Sequence, residues 1–511
     1  MKLHLRRNLA AAAAAAALAL AGCSASAGSG AGSGDSTLTL GLITPVTTFD
    51  AADASWANES PYMQAVYDTL LHAAPDGAIE PWLATSWSYN ADKTVLTMKL
   101  RNDVVFSDGT KFTAEAAAEN LLRFRDGTSP QAAYLASLKD AKALNATTLE
   151  IDLSQPNPSL LSFLTQNCGL MESPKDFGSK TESTVPDGSG PYVLDQKDTV
   201  VGSTYVFTPN PRYWGPKSQQ RYSRLVMIDY QSPTAMLNAI KGGQINVGTL
   251  IDDNEIDQVK AAGYTIYGED LNFFGLILFD RAGTMTKALG DVRVRQAINY
   301  ALDRTALLKA VGDGYGQVTE QIFAPTSTAY DKSLDSTYPY DPAKAKQLLS
   351  EAGYAPGSIT LTEPESSGFP PAAYSLIQQE LIDVGINVNY VQEGNATFLP
   401  DALAGKYSSM LMQLKAGPTT WETVSNALLP TSGWNALHYA SSTVTQLAHT
   451  IQSGSSAEAA AAAKQLNRYI VDQAWFAPLY YPEQSFVSDA HTTLETQVGN
   501  AYPYLWNITP K

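Results

Sequence analysis

Cysteine and positive charge are scarce in this chain of 511 residues. Its two cysteines are Cys23 and Cys168, and Cys23 ends an apolar N-terminal run. We therefore expect no disulfide in the folded part and predict that Cys168 is a small buried residue. Asp and Glu number 50 against 34 Lys and Arg, which gives a formal net charge of −16. A surface of this sign disfavours nucleic acid and anionic lipid headgroups as partners.

Catalytic signatures are absent as well. The sequence has no Gly-x-Ser-x-Gly, no His-Glu-x-x-His, no phosphate-binding Gly-Lys-Ser/Thr loop and no Cys-x-x-Cys. Its five histidines are scattered, whereas zinc sites draw on closer clusters of His and Cys. We therefore expect no catalytic residue, no metal site and no cofactor.

The N-terminus holds the one marked apolar run. Lys2, Arg6 and Arg7 precede residues 9–21, which are apolar but too few to span a bilayer comfortably. The run ends in Leu-Ala-Gly before Cys23, a pattern that resembles the lipobox of bacterial lipoproteins. The alternative is an ordinary signal peptide followed by an accidental cysteine.

The lipobox resemblance implies a signal peptide over residues 1–22 and a diacylglyceryl group on Cys23. The mature chain would then be anchored to the outer face of the cell membrane. Residues 23–36 are rich in Gly and Ser and would form a flexible tether with a root-mean-square reach of roughly 20 Å.

The rest of the chain is longer than one hydrophobic core usually supports, so we expect two or three lobes. Residues 37–43 alternate like a strand, and residues 62–71 carry a helical apolar stripe. Thr113 and Asp341 have the chemistry of helix N-caps, and Gly353 lies where a helix C-cap belongs.

Specific motifs follow one another along this part of the chain. They are PWLATSW at 81–87, VFSDGTKFTAE at 105–115, GSGPYVL at 188–194, NPRYWG at 210–215, VRVRQAINYALDR at 292–304, YDPAKAKQLLSEAGY at 340–354, IQQELIDVGINV at 377–388 and PLYYPEQSFV at 478–487. In this order they resemble the family-5 solute-binding proteins of bacterial ABC importers, the group that binds oligopeptides, dipeptides or nickel. The resemblance covers essentially the whole mature chain.

The resemblance implies an α/β fold of the type-II periplasmic-binding-protein kind. Two lobes would be joined by hinge strands, with a small domain inserted in the first lobe. On that pattern residues 37–70, 186–269 and 486–511 form a discontinuous lobe I. Residues 71–185 form the inserted domain II, and residues 270–485 form lobe III.

The same resemblance implies a monomeric, non-enzymatic protein that closes its lobes around a small solute. It would deliver the solute to the transmembrane subunits of an ABC permease. Two other functions stay open at this point. One is a secreted hydrolase whose carboxylates the sequence does not reveal, and the other is a lipoprotein that senses the solute and signals by contact.

One stretch indicates where the solute binds. The apolar run at 410–414 breaks into Lys-Ala-Gly-Pro, and a tryptophan follows closely; taken alone, this is better explained as a sheet edge. Residues 418–421 and 435–439 are, however, similar to motifs of oligopeptide binders, and residues 56–58 align with their peptide-contacting loop. The ligand contacts that this resemblance implies are Trp56, Ala57, Asn58, Lys415, Gly417, Trp421, Trp434, Asn435 and His438.

The chemistry of the solute stays open. Peptide-binding relatives pair the ligand's amino terminus with an Asp in this region, but residues 413–420 contain no acid. A buried ammonium without a counter-charge is costly. Either Glu422 or another carboxylate replaces the Asp, or the ligand has no free amine. An oligosaccharide stacked on Trp421 and Trp434 fits as well, and so does an anionic conjugate facing Lys415.

Overall fold

Strands and helices alternate along the residues that the computed structural model describes, which are 36–230, 232–250, 255–270, 272–366, 368–415, 417 and 419–511. The predicted signal peptide, Cys23 and nearly all of the tether lie outside these residues. None of the helices in the described ranges combines the length and the apolar character that crossing a bilayer requires.

The strands come from segments spread over the whole described chain. They are β1 (Thr37–Leu42), β2 (Leu71–Ala73), β3 (Ile79–Pro81), β4 (Ala84–Tyr89), β5 (Val95–Leu100), β6 (Leu138–Asn145), β7 (Thr148–Leu153), β8 (Tyr192–Leu194), β9 (Thr204–Pro209), β10 (Arg224–Asp229), β11 (Val247–Thr249), β12 (Thr265–Asp270), β13 (Asn272–Leu278), β14 (Gln317–Val318), β15 (Ile359–Glu365), β16 (Ile386–Gln392), β17 (Ser409–Lys415), β18 (Phe476–Tyr481), β19 (Glu483–Ser488), β20 (Thr492–Leu494) and β21 (Ile508–Pro510).

The α-helices are concentrated in the C-terminal half. They are α1 (Ser60–Val66), α2 (Ala114–Asp126), α3 (Leu160–Phe163), α4 (Pro233–Lys241), α5 (Ile256–Ala261), α6 (Val292–Ala301), α7 (Arg304–Val311), α8 (Pro342–Glu351), α9 (Pro371–Asp383), α10 (Asn395–Leu403), α11 (Thr420–Ala427), α12 (Ser442–Ser453) and α13 (Ser456–Asp472).

The first large sheet joins segments that are far apart in sequence. Its strand order is β12-β19-β11-β1-β10-β9-β8, with β1 parallel to both β10 and β11. Leu38, Leu40 and Leu42 of β1 are buried in a core that also contains Tyr62 and Phe207. The strand predicted from the alternation at residues 37–43 is therefore confirmed.

A separate antiparallel sheet, β4-β5-β7-β6, packs against α2. It lies within the predicted domain II, and we call residues 71–185 the insert. Cys168 is a free thiol buried in the core of the insert, as predicted. The boundaries of the three predicted domains remain predictions.

The second large sheet, β14-β18-β13-β17, lies beside the parallel pair β15-β16. Strand β13 is apolar throughout because both of its faces are covered: Phe274 and Leu276 face one core, and Phe273 and Ile277 face another. Gly275 lies where β18 shifts its register. A Cβ there would approach a carbonyl oxygen of β18 to 2.5 Å, so the position requires glycine.

Two strand connections run side by side from the first large sheet to the second. β12 ends at Asp270 and β13 begins at Asn272, while β18 ends at Tyr481 and β19 begins at Glu483. β12 pairs with β19, and β13 pairs with β18. The expected α/β fold of two lobes joined by hinge strands is confirmed.

The predicted helix ends are confirmed at three positions. Thr113 caps α2 by accepting a hydrogen bond from the Ala116 N–H, and Asp341 caps α8 by accepting one from the Lys344 N–H. Gly353, just after α8, has φ 85°, a left-handed conformation that favours glycine.

The helix predicted over residues 62–71 is wrong in its length. It ends at Val66, and Leu71 begins strand β2, which pairs with β3. Tyr62 and Met63 are buried in the core of the first large sheet, whereas Leu70 is buried in the core of the insert. Apolar residues continue beyond the end of the helix because a second core buries them. Their helix-like spacing therefore does not indicate a single helix.

Candidate ligand-binding site

Strand β17 ends at Lys415, and helix α11 begins five residues later at Thr420. Thr419 is the N-cap of α11, and its hydroxyl accepts a hydrogen bond from the Glu422 N–H at 3.2 Å. The predicted end of the strand is confirmed. Ala416 and Pro418 lie outside the described residues. The side chains of Lys415 and Glu422 come together beyond the strand end.

Glu422 is the acid that the sequence offers as a replacement for the missing Asp. Its side chain is only 3% exposed. Its Oε1 accepts a hydrogen bond from the Tyr134 hydroxyl at 3.3 Å and lies 3.7 Å from Nζ of Lys415. Its Oε2 is buried and has no hydrogen-bond partner among the described residues. Because an unpaired buried carboxylate oxygen is costly, Oε2 is suited to accept a donor from a ligand.

Gly417 provides the space that the Glu422 side chain occupies. A Cβ on Gly417 would lie 2.6 Å from Cβ of Glu422 and 2.7 Å from its Cγ and Cδ. Any other residue at 417 would therefore displace the carboxyl group. The Gly417 N–H donates to Oγ1 of Thr423 at 3.3 Å, which ties the turn to α11.

The loop at residues 56–58 has two unpaired polar atoms. Trp56 is 4% exposed and packs edge-on against Tyr504. Its Nε1, like Oδ1 of Asn58, is buried and has no hydrogen-bond partner within the described ranges. Ala57 is exposed and has φ 47°, a conformation that costs a non-glycine residue about 1 kcal/mol. Strain and unpaired polar atoms together are typical of a ligand-contacting loop.

Tyr134 and Ser159 are site residues that sequence reasoning missed. Tyr134 stacks on Phe163 with ring centroids 4.2 Å apart, which holds its hydroxyl toward Glu422. Oγ of Ser159 lies 2.5 Å from Oγ1 of Thr419. No local signal marks these residues, because their partners are 288 and 260 positions away in sequence.

Trp421 is half-buried and lines a cavity of about 290 Å³. Pro158 and Thr419 line the same cavity, so its walls come from both the insert and lobe III. Trp434 is also half-buried, and it packs against the core to which Trp421 contributes. Trp421 thus lines a cavity between the insert and the segment that holds α11 to α13, and Trp434 packs on the adjoining core. The ligand contacts predicted for both tryptophans stay predictions.

Asn435 is a scaffold residue, which corrects its predicted role as a ligand contact. It is fully buried, and its Oδ1 accepts hydrogen bonds from Nη1 of Arg281 at 3.0 Å and from the Tyr439 N–H at 3.1 Å. Its Nδ2 donates to the carbonyls of Leu429 and Tyr439. Both ends of the amide are saturated, so it has no atom left for a ligand.

The guanidinium that Asn435 binds is unusual in having no carboxylate partner among the described residues. Arg281 lies over the Trp475 ring, with its Cζ 4.5 Å from the ring centroid. Burial, with a smaller contribution from Arg295, lowers the pKa of Arg281 to about 9. Asn435 and the Trp475 carbonyl oxygen, which accepts from Nη2 of Arg281 at 3.4 Å, are thus polar partners of this buried cation.

His438 is exposed, and it has φ 55° in a turn. Its Nδ1 lies 2.9 Å from the Pro430 carbonyl oxygen, which holds the ring against the turn. The contact predicted between His438 and a ligand stays a prediction.

Three carboxylates gather in a place that the sequence did not indicate. Asp50, Glu172 and Glu182 have oxygens within 4.8 Å of one another. Arg123 pairs with all three at 3.3, 3.2 and 2.5 Å, so the cation of this cluster is an arginine. Burial, with the charges of Asp50 and Glu182, raises the pKa of Glu172 to about 8. The cluster fastens the segment before Trp56 to the insert.

Known solute-binding proteins are similar to this chain, as a family model and individual relatives show. The family model for bacterial extracellular solute-binding proteins, family 5 (middle region), matches residues 78–436. The nickel-binding periplasmic protein of Escherichia coli K12 is 28% identical over 380 residues, 69% of this chain and 70% of the relative. The glutathione-binding protein GsiB of the same strain is 29% identical over 356 residues, and the match spans 66% of each chain.

A solved structure supports the same fold. DppA of Helicobacter pylori, in complex with the peptide STSA, has a TM-score of 0.73 at 22% identity, covering 93% of this chain and 98% of that one. This chain, with two lobes joined by paired strands, therefore has the type-II periplasmic-binding-protein fold.

The chain belongs to the bacterial extracellular solute-binding proteins, family 5, the substrate-binding components of ABC importers. The family implies an ABC permease as its partner and a small solute as its ligand. Its relatives are solute-binding proteins and not enzymes. The family predicted from the sequence motifs is confirmed.

Proposed function

We propose that this chain captures a peptide or peptide-like solute between its lobes and delivers it to a membrane permease. The observation that carries the proposal is Oε2 of Glu422, buried and unpartnered among the described residues. Tyr134 reaches the same carboxyl group from the insert, so the group lies where the insert meets α11. A ligand ammonium would supply both the missing donor and a charge-assisted hydrogen bond.

The loop at residues 56–58 supplies complementary groups. Nε1 of Trp56 is a donor without an acceptor, and Oδ1 of Asn58 is an acceptor without a donor, as far as the described residues extend. A peptide main chain carries carbonyl oxygens and N–H groups in alternation, so it is able to satisfy both atoms. The φ of 47° at Ala57 holds the loop in this arrangement before the solute binds.

Lobe closure is the conformational step that the proposal requires. Closure would rotate the two side-by-side connections near Asp270 and Tyr481, where the strands pass between the sheets. Closure buries the solute and creates a surface formed by both lobes, which is what a permease would recognise.

The N-terminal residues would hold the protein at the membrane. Residues 1–22 would be cleaved as a signal peptide, Cys23 would carry the lipid, and residues 23–36 would tether a monomer to the outer face of the membrane. Cys23→Ala should release the protein into the medium. A mature mass without a diacylglyceryl increment would contradict the lipid anchor.

The central experiment is calorimetry with a free-amine tripeptide, guided by native mass spectrometry of any co-purified solute. Glu422→Gln keeps the shape of the side chain and removes its charge, so the affinity should fall by roughly a hundredfold, as for loss of a buried ion pair. The matched control is Glu115→Gln, because Glu115 is an exposed Glu in the first turn of α2. Equal affinity in Glu422→Gln and the control would refute the amine-binding role.

A non-peptide solute is the second candidate, and Lys415 is the observation that favours it. Its ammonium lies 3.7 Å from Oε1 of Glu422 and is 36% exposed, so it offsets part of the carboxylate charge and would attract an anion. Binding of an N-acetylated tripeptide or an oligosaccharide as tight as that of the free amine would favour this candidate. Turnover of a bound solute would instead favour a hydrolase.

A further inference from the structure

A seam separates the insert from helices α11, α12 and α13, and side-chain hydrogen bonds cross it. Besides the Tyr134–Glu422 contact, these are Lys93 Nζ to the Gly454 carbonyl at 2.5 Å, Gln452 Nε2 to the Pro156 carbonyl at 2.8 Å, and the hydroxyls of Ser159 and Thr419 at 2.5 Å. These bonds hold the two walls of the seam at a fixed separation.

Two cavities lie within the seam. One, of about 250 Å³, is lined by Tyr89 and Lys93, and the other, of about 290 Å³, is lined by Trp421. The residues that line both cavities are Pro158, Ile451, Ser456 and Ala459. The cavities therefore adjoin, and we call the combined space the seam groove. Its size is that of an ordinary small-molecule pocket.

The walls of the seam groove are mainly apolar. The insert contributes Pro156, Pro158 and Leu161, and the facing wall includes Ile451. Helix α13 contributes alanines at 459, 460 and 463, whose short side chains leave space beside the helix. An oligosaccharide would need many hydrogen-bonding groups here, whereas an aliphatic chain or an aromatic ring would gain from leaving water.

Lys93 places a positive charge at the seam, but its ammonium already makes a hydrogen bond. It donates to the carbonyl of Gly454, the C-cap of α12, where the helix dipole favours a cation. Lys93 lines the groove, and its bonded ammonium is not free to attract an anion there.

We propose that the seam groove is a second binding compartment that takes an apolar group of the solute, an aliphatic chain or an aromatic ring. This rests on the proposed function, because Thr419 and Trp421 line the groove and lie in the same first turn as Glu422, whose N–H donates to Oγ1 of Thr419. A solute held at Glu422 by a polar group would extend its apolar group past Trp421 toward Ala459. The protein would then select solutes that carry such a group.

The test uses the neutral aromatic dye N-phenyl-1-naphthylamine on the full chain without any solute. Ala459→Leu fills the place where the two cavities adjoin, and it should weaken dye binding by about tenfold or more. Ala461→Leu is the matched control, because Ala461 is an exposed residue of the same helix. Circular dichroism melts check folding, and Ala460→Leu is a second filling variant in case Ala459→Leu unfolds. No dye binding by the unmutated chain, or equal binding by all variants, would overturn the proposal.

A second measurement separates this proposal from the proposed function. Calorimetry compares the tripeptides Ala-Ala-Ala and Ala-Ala-Phe on the unmutated chain and on Ala459→Leu. A preference for Ala-Ala-Phe that Ala459→Leu removes supports the groove. Binding of both peptides with no preference leaves the proposed function standing and overturns the groove. If neither peptide binds while Ala459→Leu still blocks the dye, the peptide function fails and the compartment stands.

Discussion

The hydroxyl of Tyr134 donates a hydrogen bond to Oε1 of Glu422 at 3.3 Å, although 288 positions separate the two residues in sequence. Tyr134 lies in the insert, and Glu422 lies in the first turn of α11. The pair therefore connects two separately packed parts of the protein through a group that has one oxygen still unpaired among the described residues.

Tyr134→Phe removes that hydrogen bond and keeps the ring stacked on Phe163. We expect solute affinity to fall by roughly five- to tenfold, because one hydrogen bond to a charged group is lost from the closed arrangement. The melting temperature should change by only a few degrees. Calorimetry and thermal melts measure the two effects, with Tyr340→Phe at an exposed tyrosine as the control. An unchanged affinity would contradict the role of Tyr134.

Gly417→Ala should weaken solute binding in the same way as a substitution of Glu422 itself. The added Cβ would lie 2.6 Å from Cβ of Glu422, so the carboxyl group has to move. We expect the affinity to fall at least about tenfold, with a loss of stability of roughly 1–3 kcal/mol from overpacking. Gly433→Ala is the control, since a Cβ at Gly433 meets nothing within 4 Å. Equal solute binding in the two variants would refute this coupling.

Trp56→Phe separates packing from hydrogen bonding in the first-lobe loop. Phe retains the aromatic packing against Tyr504, and Nε1 of Trp56 makes no hydrogen bond with the described residues. We expect the free energy of unfolding to change little and the solute affinity to fall by about 1 kcal/mol or more. Urea titrations and calorimetry test this. A drop in stability with no change in affinity would show that Trp56 is only a core residue.

Asn435→Ala and His438→Ala should differ sharply although they lie three positions apart. Removing Asn435 leaves Nη1 of buried Arg281 without its partner, which should cost about 2–4 kcal/mol of stability. His438 is exposed, and its replacement should cost less than about 1 kcal/mol. Chemical denaturation of both variants provides the comparison. A loss of solute binding in a stable His438→Ala variant would support the predicted contact.

Glu172 makes stability depend on pH. Burial and two neighbouring carboxylates raise its pKa from 4.5 to about 8, so the folded state binds more protons than the unfolded state between these values. Its contribution is complete below the unfolded pKa and is lost as pH rises through about 8. Each pKa unit is worth about 1.4 kcal/mol.

The variant that tests this is Glu172→Gln, which stays neutral while Arg123 keeps Asp50 and Glu182 as partners. We expect it to lose less stability than the unmutated chain between about pH 5 and pH 8. Urea midpoints at both pH values give the difference, with Glu119→Gln as an exposed control. Parallel curves for Glu172→Gln and the unmutated chain would contradict the assignment.

Several parts of the fold could be predicted because their signals are local. The caps at Thr113 and Asp341, the strand at residues 37–43 and the strand end at Lys415 each depend on a few neighbouring residues. The motifs that follow one another along the chain identified the family for a related reason, since each motif encodes a local element such as a turn or a helix start. The length predicted for the helix over residues 62–71 was wrong because two cores bury one apolar stripe.

The motifs of the sequence identify the family and the α/β class, and residues 413–420 contain no acid. Tertiary packing alone brings Glu422 and Gly417 together with Tyr134, because 288 positions separate Glu422 from Tyr134. It also decided that Asn435 is a scaffold residue, since the saturation of its amide depends on a buried arginine 154 positions away. Burial and long-range hydrogen bonds are properties of the folded chain, so no local pattern encodes them.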